Sequence, residues 1–442
     1  MKQSLDQEFR FWSLLRFSLP TIIMMVFLSL YTIVDGIFVS RFVGSSALSA
    51  VNIVYPLISL VIGFGVMLAT GGCAVVARKM GEGRLEEACA DFSLITLAGV
   101  GLGLLFSLVG LFFSAPLSRL LGASDALLGY CVDYLRIMLL FAPANILQLL
   151  FQSFFVAASR PGLGLGLTVA SGLTNALLDY FFIVPLDMGI SGAALATAAG
   201  YLLTALPSLL FFLFRPGGLR FLRPRWNGRL LLYACGNGSS EMVTNLSNAV
   251  VTFIYNLLML RFLGEDGVAA ITIVLYSQFL LTALHMGFSM GVSPVVSFNY
   301  GAGNWSRLRR VFRYCILFIA LASGLVFAAA LSLAGFIVGV FSPEGTVVYD
   351  IALSGFFLFS PSFLFAGVNI FTSSLFTALS DGFRSAAVSF ARTFGFLLVG
   401  LLLLPLFLDV NGVWLAVPFA ELLCCGLSLL FLLRNREKYH YA

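Results

Sequence analysis

Arg41-Phe42-Val43-Gly44 returns as Arg261-Phe262-Leu263-Gly264, 220 residues further along the chain. The same ungapped offset carries Met80-Gly81-Glu82-Gly83 onto Tyr300-Gly301-Ala302-Gly303. It carries Gly162 onto Gly382, and Gly192, Leu195 and Ala196 onto Gly412, Leu415 and Ala416. Three separated regions agreeing on one offset indicate an internal duplication.

The duplicated material belongs in a bilayer. Of 442 residues 60% are hydrophobic and only 10% charged, where soluble proteins carry about 25% charged residues. No soluble core could hide that much apolar surface. Apolar runs long enough to cross a hydrocarbon core of roughly 30 Å recur throughout. They place twelve spans near 13–40, 49–76, 92–113, 131–157, 163–184, 190–214, 230–260, 268–297, 311–340, 347–376, 384–408 and 411–433. The polar start MKQSLDQEFRFW lacks the order of a cleavable signal, so the first run is expected to stay as a helix. Seven cysteines (73, 89, 131, 235, 315, 424 and 425) have no metal-ligand spacing and read as small core residues. No cofactor is expected.

Six spans per half is an even number, so both halves enter the membrane from the same side and the repeats are parallel. The expected fold is all-α and integral to the membrane, with twelve transmembrane helices in two six-helix lobes related by a pseudo-twofold axis along the membrane normal. The expected units are an N-lobe over 1–214, an interlobe linker over 215–229 and a C-lobe over 230–442. All but Arg41, Arg119, Arg136 and Arg261 of the 25 Lys and Arg fall on one side, or at helix ends on that side. The positive-inside rule makes that side cytoplasmic, together with both termini, in a multi-pass plasma-membrane protein. The net charge of +5 then reports orientation, and no nucleic-acid partner is expected. Arg215, Arg220, Arg223, Arg225 and Arg229 make the linker the strongest basic block.

A charge at mid-helix costs roughly 2.5–3.5 kcal/mol on insertion scales, so it normally faces protein or water and has a task. Asp35, Asn175, Asp179, Thr197 and Tyr134 all fall in the outer half of the N-lobe. Asn175 and Asp179, at i and i+4, share a helix face, so an amide oxygen and a carboxylate can point at one ligand. Such a set suits either a proton shared by two carboxylates or Na⁺ held at Asp35, Asn175 and Asp179 by hard oxygens. A competing reading pairs Asp35 or Asp179 permanently with Arg136. Adding 220 takes Asp35 to Tyr255, Asn175 to Gly395 and Asp179 to Val399, so the C-lobe lacks this set. It carries Glu241, His285, Arg392 and Glu421 instead. Glu241 and Glu421 either attract a cationic substrate or pair with Arg392, and His285 reads first as a satisfied core residue. Forty-five Phe supply walls for amphipathic cations. Glycines 63, 65, 71 and 72 are expected to allow close helix packing, and Pro20 to bend the first helix.

Four strings bring a known family into view: PTIIMMVFLSLYTIVDGIFVSRFVG (20–44), ARKMGEGRLEEA (77–88), NALLDYFFIVPLDMGISGAALATAAG (175–200) and SFNYGAGNWSRLRR (297–310). In this order, on twelve helices in two halves, the chain resembles the multidrug and toxic compound extrusion (MATE) transporters, within the larger group of drug, oligosaccharide and lipid exporters. The resemblance covers essentially the whole chain. It implies a polyspecific antiporter exporting organic cations and other toxic compounds against inward-moving Na⁺ or protons. Asp35 is similar to the family's first-helix Asp of the N-lobe cation site, Asn175 and Asp179 to its fifth-helix pair, and Thr197 and Tyr134 to supporting residues. Glu241 is similar to a seventh-helix acidic residue of several branches. The tenth span departs from the pattern: it lacks the mid-span Asp of some branches, with only Asp350 near its outer end and the neutral Asn369.

The expected partners are small amphipathic or cationic substrates and membrane lipid, and two lobes in one chain make a monomer sufficient. A flippase for a lipid-linked sugar or other lipid is the runner-up, although the deep groups here are mainly acidic. An intramembrane prenyl transferase would need paired DxxxD motifs, and NALLD offers one with Asn first. Hydrolase chemistry has only His285 and His440 to draw on.

Overall fold

The structure is a computed structural model describing residues 5–43 and 45–442, apart from the side chains of 35–41, 45 and 48. Among these residues every regular element is helical. Helices α1 (Phe11–Phe42), α2 (Ser45–Gly81) and α3 (Leu85–Leu120) are single spans. The fourth span is a pair, α4 (Asp125–Leu140) and α5 (Ala142–Ala157), bent by 52°. Helices α6 (Pro161–Ile183) and α7 (Gly189–Phe214) complete the first set.

Helix α8 (Gly228–Gly301) has 74 residues, which at 1.5 Å per residue is more than three bilayer cores. It breaks at Gly264, where φ is +68°, a conformation open to glycine because it lacks Cβ. Two spanning arms result. Helix α9 (Trp305–Ser332) is followed by the short α10 (Ala334–Gly339), and α11 (Val347–Phe359) and α12 (Ser362–Ala378) form a second pair, bent by 57°. Helix α13 (Gly382–Phe390) passes through a π-helical turn, Ala391–Phe396, into α14 (Leu397–Tyr439), which breaks at Asp409. With each bent pair one span and each broken helix two, the described residues hold twelve spans, six on either side of residues 215–227.

Both bends sit at proline, Pro143 in the first turn of α5 and Pro361 just before α12, where a backbone donor is missing. Helix α1 runs unbroken through Pro20. The duplication shifts register inside the fourth and tenth spans. Helices α5 and α12 start 220 residues apart, but α5 has 16 residues and α12 has 17. Downstream, Ser159 and Ser380 therefore match as left-handed residues and Pro161 and Gly382 as helix starts, and Gly162 is one residue out of register with Gly382. Asp179 then falls opposite Gly400, or Leu401 once the π turn adds a residue. Neither is acidic, so the N-lobe carboxylate keeps no C-lobe counterpart.

The lobes meet through glycines at the basic end of the bundle. A Cβ on Gly81 would strike the carbonyl of Phe298, and one on Gly301 the carbonyl of Arg78; these contacts exchange under the 220-residue offset. Gly71 packs against Ala234 and Gly238, and its equivalent Gly291 packs against Ser18 and Thr21. Reciprocal contacts of this kind are what a twofold axis between parallel repeats produces. Farther from the basic end the approach relaxes, and a Cβ on Gly63 would lie 3.6 Å from Met242. The apolar cores agree. Leu14, Phe17 and Ile22 of α1 share one cluster with α8, α9 and α12, whereas the far-end cluster around Tyr255, Phe356 and Trp414 contains C-lobe residues only. The lobes are closed together at the basic end.

Candidate functional site

Small residues bring α6 against both its neighbours. A Cβ on Gly172 would lie 2.6 Å from the Phe27 ring of α1. On the other side Ser171 Oγ donates to Gly200 O of α7 at 2.7 Å. One turn further on, Asn175 and Asp179 are 1% and 2% exposed. The amide of Asn175 satisfies its surroundings in one orientation. Its nitrogen donates to Tyr31 Oη at 2.8 Å and to Asp179 Oδ2 at 3.0 Å, and its oxygen accepts from Thr197 N at 2.9 Å. The opposite orientation would put amide oxygen against carboxylate oxygen, two acceptors. The sequence had suggested that amide oxygen and carboxylate both point at a ligand; instead Asn175 presents its donor to Asp179, because an ionised carboxylate only accepts. Thr197 Oγ1 is turned to its own helix, donating to Ala193 O at 3.1 Å.

Of the five N-lobe residues singled out from sequence, the structure joins Asn175, Asp179 and Thr197. Tyr134 is buried in α4 within the lobe's main apolar cluster, beside Leu135 and Met138 in the chain. Asp35 belongs to α1, but its side chain lies outside the described residues. Tyr31 was missed. Its signal was its place four residues before Asp35, on the same helix face. Arg136 is exposed and forms no ion pair among the described residues.

The C-lobe groups converge on Arg392, carried by the π turn. Its Nε donates to Glu421 Oε1 at 2.7 Å, and Glu421 is 3% exposed. Asn369 Nδ2 donates to Glu421 Oε2 at 2.7 Å and to the Glu421 carbonyl at 2.9 Å, while Ser428 Oγ donates to Asn369 Oδ1 at 2.8 Å. This pair is the structural alternative weighed for Glu421. A π turn widens the helix by one residue, a feature frequent at functional sites, and here it carries the guanidinium that meets α14. Glu241 and His285 both lie within electrostatic reach of Arg392. Glu241 is partly exposed and makes no ion pair among the described residues. His285 is 0% exposed, with Nε2 3.2 Å from Ser323 Oγ and Nδ1 lacking a hydrogen-bond partner among the described residues. Gly367 leaves room for its ring, since a Cβ there would lie 2.6 Å from His285 Cδ2.

A further feature was not foreseen. A cavity of about 790 Å³ opens at the far end of the C-lobe between the two arms of α8. Phe253, Leu257, Ile273, Tyr276 and Phe341 make it largely apolar, with Asn256 as a polar group on its wall.

A family model described as MatE matches residues 20–181 and, a second time, residues 242–403. The chain belongs to the MatE family. The double match is the duplication seen in sequence and fold. Among MatE relatives, the multidrug export protein MepA of Staphylococcus aureus is 24% identical over 433 residues, covering 96% of this chain and 94% of the relative. Its counterpart in Staphylococcus saprophyticus is 23% identical over 441 residues, with the same coverage. An outward-facing multidrug resistance MATE family transporter of the MOP superfamily superposes with a TM-score of 0.91 at 22% identity, over 97% of this chain and 96% of that one. The MATE multidrug transporter DinF-BH gives 0.86 at 26% identity over 97% and 96%. This MatE protein is thus a multi-pass membrane protein of a transporter family, with the two-lobe, twelve-helix fold.

Proposed function

We propose that this chain is a proton-coupled antiporter of the plasma membrane that exports amphipathic organic cations by alternating access, with Asp179 as the coupling carboxylate. The observation that carries the reading is a carboxylate 2% exposed in mid-bundle, held by the amide of Asn175, which also reaches Tyr31 and Thr197. Burying such a group is costly unless it has a task.

The backbone register extends the site to Asp35. Helices α1 and α6 run in the same direction, and Tyr31 meets Asn175, so residue 35 lies one turn beyond, level with residue 179. Two carboxylates at one level repel and share a proton at an apparent pKa that belongs to the pair. Between the two coupling ions, the amide orientation favours the proton. Asn175 presents its nitrogen, not its oxygen, to Asp179, so a Na⁺ beside that carboxylate would gain the amide oxygen only after the amide turned.

The positive-inside rule assigns the basic end to the cytoplasm, together with both termini. Closure of the lobes at that end then corresponds to an outward-open arrangement. Protonation would relieve the carboxylate repulsion and change the relative stability of the two openings, which is all that a coupling ion can do. The apolar cavity, with Glu265 and Asn256 in its lining, supplies walls and charge for a cationic substrate, in keeping with relatives that are multidrug exporters. The partly exposed Glu241 is a second acidic group on α8, outside that cavity.

The test is efflux of a cationic dye from proteoliposomes under a pH gradient and, separately, a Na⁺ gradient. Efflux should follow the pH gradient and disappear in Asp35→Asn and Asp179→Asn. Retention of gradient-driven efflux in both variants would refute the assignment. Sodium-driven efflux alone would move the coupling to a cation held after the amide turns. Translocation of a lipid-linked sugar without dye export would favour a flippase.

A further inference from the structure

The segment joining α7 to α8 is basic throughout and yet held in place. Leu219 is 0% exposed. Phe221 stacks on Phe92 of α3 with ring centroids 4.7 Å apart, and Leu222 N donates to Ser93 Oγ at 3.0 Å. Arg215 Nη2 donates to Ala158 O at 3.3 Å, and the guanidinium lies over the Phe211 ring. The backbone is therefore ordered before anything binds to it.

The side chains that this frame carries are not neutralised. Residues 215–229 contain five arginines and no acidic residue. Among the described residues, Arg215, Arg220, Arg223, Arg225, Arg229 and the neighbouring Arg160 form no ion pair. Burial, and then the nearby Arg160, both draw the Arg215 pKa down, the expected result of like charges gathered without a counterion. Elsewhere at this end acidic residues are interspersed, and although Arg16, Arg309, Arg313 and Arg434 also form no ion pair among the described residues, other cations are matched. Lys79 pairs with Asp91 at 2.5 Å, Arg84 with Glu82 at 3.0 Å, Arg307 with Asp6 at 2.9 Å, and Arg384 with Asp381. Orientation in the membrane asks only for positive charge; it does not ask that one segment lack carboxylates while others at the same end have them.

The surroundings favour one kind of anion. Phe214 and Leu232, on the flanking helix ends, are exposed apolar residues, so the arginines begin where lipid-facing surface ends. Trp226, in the middle of the block, is 82% exposed, and tryptophan favours the headgroup level. We propose that residues 215–229 form a preorganised binding surface for anionic phospholipid headgroups, with Arg223, Arg225 and Arg229 facing the lipid phosphates and Trp226 anchored at the interface.

The experiment titrates phosphatidylglycerol, and in parallel phosphatidylcholine, into the full-length protein in an uncharged detergent. Retained lipid is read by native mass spectrometry and stabilisation by the thermal unfolding midpoint. Phosphatidylglycerol should bind on the order of a hundredfold more tightly, from about fivefold per arginine. The triple variant R223Q/R225Q/R229Q should lose that advantage while keeping phosphatidylcholine binding and its lipid-free midpoint, and R223K/R225K/R229K should keep most of it. For the unaltered protein, raising salt from 50 to 500 mM (about a threefold shorter screening length) should weaken phosphatidylglycerol binding selectively, a readout that does not depend on any variant folding. Equal binding of the two lipids, salt-insensitive preference, or full preference in the glutamine variant would overturn the proposal. So would equal stabilisation by glycerol 3-phosphate or inorganic phosphate at the same concentration, which would make the occupant a soluble anion.

Discussion

Asp179 in the N-lobe and Glu421 in the C-lobe are buried carboxylates of the same duplicated frame with different partners. Asp179 of α6 meets a neutral amide, Asn175, next to a tyrosine and a threonine. Glu421 of α14 meets a guanidinium, with Asn369 closing its other oxygen. Glu421 is matched by a guanidinium inside its own lobe, whereas the contact described for Asp179 is with a neutral amide that also reaches a tyrosine and a threonine. Duplication supplied two equivalent scaffolds, and side-chain substitution made one into a candidate coupling site and the other into an internal brace.

The largest expected effect breaks the N-lobe side. Asp179→Asn should abolish gradient-driven dye efflux, by tenfold or more (about 1.4 kcal/mol), with the folded protein still recovered; normal efflux would erase the distinction between the lobes. On the C-lobe side, Glu421→Gln should lower stability by about 1–3 kcal/mol, because the partly buried Arg392 loses its ion-pair partner. Replacing both members, as in R392M/E421M, should restore most of it in thermal unfolding. If the double variant is as unstable as the single, the pair is more than a brace.

Gly301→Ala tests the closure on which the outward-open reading rests. Its Cβ would meet the Arg78 carbonyl, which should cost the closed basic end about 1–3 kcal/mol and raise thiol labelling of a Phe298→Cys probe from that side. Unchanged labelling would mean that the contact yields without opening. Tyr31→Phe should be milder, about 1 kcal/mol from one lost hydrogen bond, seen as a shifted pH dependence of efflux with maximal rate retained.

The smallest effect compares the equivalent turns Ser159-Arg160-Pro161 and Ser380-Asp381-Gly382. Asp381 caps α13 through Arg384 N at 3.3 Å and also bonds the Arg384 side chain and Tyr439 Oη. Burial pushes its carboxyl up, but the bonds from Tyr439 and Arg384 outweigh this and hold it below the usual range. Because the folded-state value is depressed, the contribution to stability is complete above about pH 4 and lost as pH falls through the lowered value. Asp381→Asn should keep the cap, since Asn caps as well as Asp, but remove that acid-limb dependence. The weakened bonds to Arg384 and Tyr439 should also cost about 1 kcal/mol of stability, while Arg160→Gln should leave the acid limb unchanged.

How much of this was legible depends on the range of each interaction. The twelve spans, the parallel duplication and the i, i+4 placement of Asn175 and Asp179 follow from local composition and helix periodicity, which the chain carries in every window. The bends were half-legible, in Pro143 and Pro361, while the register slip in α12 and the π turn at Arg392 leave no local mark, since one extra residue in a helix changes nothing until another helix packs on it.

Hydrophobicity and charge asymmetry, being sums over many residues, decided by themselves that this chain spans a membrane as two six-helix lobes with one basic end. Only tertiary packing decided that Tyr31 joins Asn175, that the amide turns its nitrogen to Asp179, that Arg392 is matched by Glu421, and that glycines seal the lobes together at the basic end. Those outcomes hinge on distances of a few tenths of an ångström between residues far apart in the chain, and no local pattern encodes them.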